Sequence, residues 1–104
     1  MGLVGGSATA ALAAGPNYAT SEEKLYVVYH GYVQVQALYS DSGRHAKNGW
    51  LRYYIPTAWD TGKKYTANTA SPTSKAIKSR SYIFQDSLDW NLPATQFHFG
   101  FNWW

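Results

Sequence analysis

Phe97-His98-Phe99-Gly100-Phe101-Asn102-Trp103-Trp104 is the stretch that decides how this chain is read. An aromatic residue falls at every second position, Phe97, Phe99, Phe101 and Trp103, with His98, Gly100 and Asn102 between them. Successive side chains of a strand point to opposite faces, so the run turns one wholly aromatic face toward a core. The C-terminus is therefore expected to be structural, the last strand of a β-domain.

The same period recurs upstream. Leu25, Val27, Tyr29, Gly31, Val33, Val35, Ala37 and Tyr39 share one face of an extended run, with Gly31 a natural place for a bulge that splits it in two. Ser40 to Gly49 is polar and glycine-bearing, a hairpin loop by composition. Trp50 to Ile55 is the next strand, stopped by Pro56, which has no N–H to give to a ladder. Asp60-Thr61-Gly62 marks a turn, Lys63 to Thr69 a Thr-rich strand, and Lys75 to Phe84 a strand that is basic first and aromatic last. Asp86 to Pro93 reads as a loop carrying Trp90, and the terminal strand begins near Ala94. No segment keeps an apolar period of 3.6. About six short strands separated by turns predict an all-β fold, a small antiparallel β-sandwich with a flexible N-terminal tail.

The domain is placed at residues 25–104. Leu3 to Ala14 is small and apolar, and Ala11-Leu12-Ala13 has the small-x-small pattern accepted by signal peptidase. Residues 1–14 are read as a secretory signal remnant, against the plainer reading of a Gly/Ala leader with no address. Residues 15–24, polar and turn-rich, are read as a linker or tail. Within it, Pro16, Asn17 and Tyr18 are candidates for docking a partner, as an added strand or a peptide in a groove.

The chain has 104 residues and no cysteine, so a body this small has no disulfides to staple it. Five Trp, nine Tyr and four Phe stand in for them, each able to bury a large area. Net charge is +3 with only 14% charged residues, a mild basic tilt compatible with an anionic envelope. It is too dispersed for nucleic acid, which asks for a clustered basic stripe. No apolar run reaches the roughly 20 residues of a membrane span.

Signatures of catalysis are missing: no phosphate-cradling glycine loop, no HExxH, no GxSxG and no thiol. Asp86 and Asp89 are the one loop pair with the residue types of glycoside hydrolysis, although such spacing more often reflects Asx-turn chemistry. His30, His45 and His98 would need to converge with a carboxylate to hold a metal, and nothing in the spacing demands it. No cofactor or metal is expected. The aromatics divide by face. Tyr29, Tyr39, Tyr53, Phe97, Phe99 and Phe101 belong to the core by period, and Trp50 to a second core layer. Tyr54, Trp59 and Trp90 stand on the opposite face or in loops, where rings kept near water grip sugars, peptides or proteins. With Arg52 they form the candidate binding set.

Tyr39-Ser40 followed by a polar loop with His45, and the ending Ala94-x-x-Phe97-x-Phe99-x-Phe101, resemble the lactococcin 972 family of secreted bacteriocins from Gly31 onward. The chain is also similar to small adaptor subunits of actinobacterial umbrella-like toxin particles. These resemblances imply a secreted β-sandwich acting by binding, its partner a larger secreted protein or a cell-envelope component. Oligomerisation is compatible with both. The expected function is thus a secreted, non-catalytic, bacteriocin-like or adaptor protein, with a carbohydrate-binding module built on exposed Trp and Tyr as the alternative. A small glycosidase or peptidase ranks third.

Overall fold

A computed structural model describes residues 8–24, 27–41, 43–86 and 93–104, all of them strand, turn or irregular chain without helix. Two antiparallel sheets pack face to face, as the sequence period predicts. The first has the order β1-β2-β3-β8, built from β1 (Ala8–Ala14), β2 (Asn17–Lys24), β3 (Val28–Gln36) and β8 (Ile77–Gln85). The second is organised on β5 (Arg44–Ile55). β9 (Gln96–Trp103) pairs with β5, as do three short strands, β4 (Ser40–Asp41), β6 (Trp59–Asp60) and β7 (Lys64–Tyr65). The fold is elongated, 47 × 20 × 19 Å, because β5 alone contributes 12 extended residues.

The predicted core face is real from Tyr29 to Ala37, but Tyr39, expected in the core, lies past the end of β3 and is 43% exposed. Tyr29, Gly31, Val33 and Val35 alternate as buried positions along β3, facing Gly49, Leu51, Tyr53 and Ile55 of β5. The two sheets touch through glycine. A Cβ on Gly49 would lie 2.8 Å from Val33 Cγ2, and one on Gly31 3.0 Å from the Tyr53 hydroxyl. That gap lets Tyr53 reach over Gly31 and bond Ser21 Oγ, cross-strand from Gly31 on β2, at 2.6 Å. Tyr53 also stacks on Phe84 and Tyr29 at centroid distances of 5.4 and 5.7 Å, and Phe97 tilts against it at 5.3 Å. Burial holds both hydroxyls of the Tyr29–Tyr53 pair protonated, pushing each pKa up to about 12.

Several boundaries differ from expectation. The linker at residues 15–24 is structured: Gly15, at positive φ, and Pro16 make the two-residue hairpin turn, and Asn17–Lys24 is strand β2. Its pairing with β3 runs unbroken from Tyr18–Gln34 to Lys24–Val28, and Asn17, Ala19 and Ser21 are buried. The flexible tail is thereby corrected as far back as Ala8, since Ala8–Ala14 pairs with β2 as well. Composition misled here because the dry face of β2 carries Asn17, Ala19 and Ser21, polar or small residues, while Tyr18, Thr20 and Glu22 alternate with them on the outer face.

Gly31 does not split β3, because its missing side chain serves sheet-to-sheet approach and not a bulge. The bulge lies between Ala46 and Asn48 of β5, where it shifts the phase so that Ala46 and Gly49 both face inward. The expected loop at 40–49 is mostly β5, with the turn near Gly43 joining it to β4. Conversely, the strand expected at 63–69 shrinks to Lys64–Tyr65. Thr66 and Thr69 continue alongside β5, each giving its backbone N–H to a β5 carbonyl, that of Gly49 and of Lys47, both at 2.8 Å.

Candidate functional site

The Ile55-Pro56-Thr57-Ala58-Trp59 connection folds β6 back onto β5, closed by the Ala58 N–H on the Ile55 carbonyl at 3.0 Å. Pro56 presets the first central position and Thr57 takes φ = 65° at the second, the arrangement of a type II turn. A β-branched residue rarely adopts that conformation, so backbone strain sits at this tip. Around it opens a shallow pocket of about 340 Å³ lined by Arg52, Tyr54, Ile55, Thr57, Ala58, Trp59 and Asp60.

The hairpin brings together three of the four predicted binding residues. Trp59 leans on core residue Phe84, with centroids 6.4 Å apart, yet 58% of its surface stays open. Arg52 grips Asp60 with two bonds, Nε to Oδ1 at 2.8 Å and Nη2 to Oδ2 at 2.6 Å. Its guanidinium also lies 4.8 Å above the Tyr54 ring, which meets His98 edge-on at 6.1 Å. The Gly62 N–H adds a 2.8 Å bond to Asp60 Oδ1. Arg52 and then Gly62 hold the Asp60 carboxyl down at about 2, and Asp60 in turn raises the pKa of Arg52. The pocket therefore presents a planar, mutually neutralised ion pair beside an open indole. Exposed pairs add little stability, so its value is geometric.

The other described tryptophans each lie beside a cation. Lys63 Nζ stands 4.4 Å from the Trp50 ring, the Arg44 guanidinium 4.5 Å from Trp103, and Lys47 Nζ 5.2 Å from Trp104. Trp59 is the one tryptophan among the described residues without such a cation. Trp50 is not a second core layer. It points outward and lies across Gly100, where a Cβ would sit 2.6 Å from its Cζ2.

The remaining candidates divide. Trp90 and Asp89 lie outside the described residues. Asp86 is buried and accepts from Thr95 Oγ1 at 2.6 Å. Pro16, Asn17 and Tyr18 are no docking tail. The Pro16 carbonyl accepts from Gln34 Nε2 at 3.0 Å, the buried Asn17 accepts from the Gln36 N–H at 2.7 Å, and Tyr18 packs on Tyr32 at 5.9 Å. His45 bonds the Ala37 carbonyl and His98 bonds Gln96, both at 2.9 Å. Among the described residues no three His, Cys, Asp or Glu side chains gather to hold a metal, and no helix is long and apolar enough to cross a membrane.

Sequence reasoning missed Asp60 and Thr57 as parts of the site. Arg52 and Asp60 stand symmetrically about Pro56, and a hairpin turning there makes them diagonal neighbours, which long side chains bridge. That signal was available. Thr57 carried none, since its residue type argues against the conformation it adopts. Comparison with protein-family models, curated proteins and solved structures finds no match for the chain.

Proposed function

We propose that this chain is a secreted, non-catalytic binding protein, bacteriocin-like or part of an antibacterial toxin complex, that grips a glycan-bearing component of a cell envelope through the Arg52–Tyr54–Trp59–Asp60 pocket. The observation that carries the reading is Trp59, the uncapped indole, 58% open beside a planar ion pair. A sugar ring stacks its C–H face on indole while its hydroxyls bond flat donors and acceptors at the rim. Arg52 and Asp60 cancel each other's charge, which suits a neutral polyol better than an anion. The pocket carboxylate is also a poor general acid, because that role needs a raised pKa and Asp60 is held at about 2.

The test is retention on insoluble peptidoglycan, together with titration of soluble wall oligosaccharides followed by indole fluorescence. Trp59→Ala should weaken binding at least tenfold, about 1.4 kcal/mol, with the fold intact. Unchanged retention by both Trp59→Ala and Arg52→Ala would exclude this pocket. A second reading, docking of a larger secreted protein, draws on Ile77 and Ile83, which are 54% and 62% exposed on the outer face of β8. Ile83→Lys would abolish partner capture in that case and leave glycan binding unchanged.

A further inference from the structure

The outer edge of β9 carries an inference independent of the pocket. Among the described elements β9 pairs only with β5. On β5, Gly49 and Tyr53 use both backbone groups on the opposite side. Gly49 takes the Thr66 N–H at 2.8 Å and gives its own N–H to Thr66 Oγ1 at 3.1 Å; Tyr53 does the same with Thr61, both at 3.0 Å. Phe101 and Phe97, which face them, therefore sit in non-hydrogen-bonded pairs. By antiparallel alternation Phe97, Phe99, Phe101 and Trp103 direct their N–H and C=O away from β5, toward the open edge.

Natural sheets blunt such edges with charge or proline. β8 does so with Lys78 and Arg80, whereas Gln96–Trp103 contains neither charge nor proline. Its rings run in a row at 6.1, 6.2 and 5.9 Å from Phe97 to Trp103, and each is only partly buried.

We propose that β9 pairs antiparallel with β9 of a second copy of this chain about a two-fold axis at Gly100, joining the two second sheets into one. That register sets Phe97 against Trp103 and Phe99 against Phe101 of the second copy, aromatic on aromatic, with no charge opposed to its like. The flanks select the same arrangement. Arg44 and Lys47 stand over Trp103 and Trp104 at one end of the row. At the other, Phe97 leads through Tyr53 and Tyr29 to Glu23, with Glu22 and Lys24 beside it, a net negative group. The two-fold brings the basic end of each copy to the acidic end of the other. A parallel pairing would set like against like.

Sedimentation equilibrium tests the proposal, since an 11.6 kDa chain gives well-separated monomer and dimer masses. The register places His98 opposite Asn102 of the second copy, on the outward face and away from the core. H98E/N102E therefore opposes like charges twice, and H98K/N102E opposes unlike charges twice. Expected are a wild-type dimer, at least tenfold weaker association in H98E/N102E, and recovery to within about threefold of wild type in H98K/N102E. Thermal melts by circular dichroism check that each variant is folded. A wild-type chain that stays monomeric up to about 0.5 mM would overturn the proposal. So would a dimer indifferent to H98E/N102E, or one that H98K/N102E fails to restore.

Discussion

The bond between Tyr53 Oη and Ser21 Oγ crosses the core from one sheet to the other, and removing it in halves should reveal what it does. It is 2.6 Å long between residues 0% and 1% exposed, so water cannot replace either partner. Tyr53→Phe keeps the ring and its stacking on Phe84 but strands the Ser21 hydroxyl in an apolar gap. Ser21→Ala strands the Tyr53 hydroxyl instead. An orphaned buried hydroxyl costs about 1–3 kcal/mol, more than the roughly 1 kcal/mol net worth of a made hydrogen bond. The double variant removes both groups and leaves no orphan. It should be less destabilised than the sum of the singles by about 1–2 kcal/mol. Urea denaturation of the four proteins, at equal slopes, gives the cycle directly. Each kcal/mol should also move the melting midpoint by about 4–8 °C in a chain of this size. Strict additivity would refute the argument, because it would mean that neither hydroxyl depends on the other and that the contact does not tie the sheets together.

Other consequences follow from the same packing. Gly49→Ala places a methyl 2.8 Å from Val33 Cγ2 and 3.1 Å from Val35 Cγ1, side chains stiff at χ1, and should cost about 1–3 kcal/mol by denaturant titration. Tyr29 and Tyr53 ionise near 12 in the fold against 10.0 when exposed, so their protonated forms favour the folded state. The associated stability is fully present below pH 10 and lost as pH climbs toward 12, which urea midpoints between pH 8 and 12 would record, with a smaller loss in Tyr53→Phe. Thr57→Gly relieves a left-handed conformation worth about 1–2 kcal/mol and gives back about 0.5–1 in unfolded-chain entropy, so a net gain of about 0.5–1 kcal/mol is expected in thermal unfolding.

Period 2 carried the fold because burial on one face of a strand writes itself into residue type. Tyr29, Val33 and Val35, and the Phe97–Phe101 row, could be assigned without coordinates for that reason. β2 was illegible because Asn17 and Ser21 are buried yet polar: Asn17 Oδ1 accepts the Gln36 N–H from the neighbouring strand although its Nδ2 finds no partner, Ser21 bonds Tyr53 across the gap, and such pairing is a tertiary fact. Gly31 illustrates the same limit, since a missing side chain reads alike whether it makes a bulge or admits a tyrosine. In the site, Arg52, Tyr54 and Trp59 were found from residue type and face. The clasp with Asp60 depends on a hairpin register that composition only half specifies.

The distribution of cations over rings argues for where a ligand goes. An aromatic-rich protein of this size cannot bury every ring, and those left near water would pair indiscriminately. Here Lys63, Arg44 and Lys47 lie over Trp50, Trp103 and Trp104, and Lys64 stands 5.3 Å from Tyr82. Each contact is worth about 0.5–1 kcal/mol at an exposed site, enough to favour the covered geometry without freezing it. Arg52 is the exception in kind. It covers Tyr54 but is locked there by two bonds to Asp60, so it holds a fixed shape where the lysines can swing away. A rigid guanidinium–carboxylate plane next to an uncovered indole is what a stacking ligand with several hydroxyls needs, because neither group must be reordered when it arrives. The turn strain at Thr57 sits at the same tip. Free energy stored there, where a glycine would release it, is consistent with a loop shaped for its contact and not for stability.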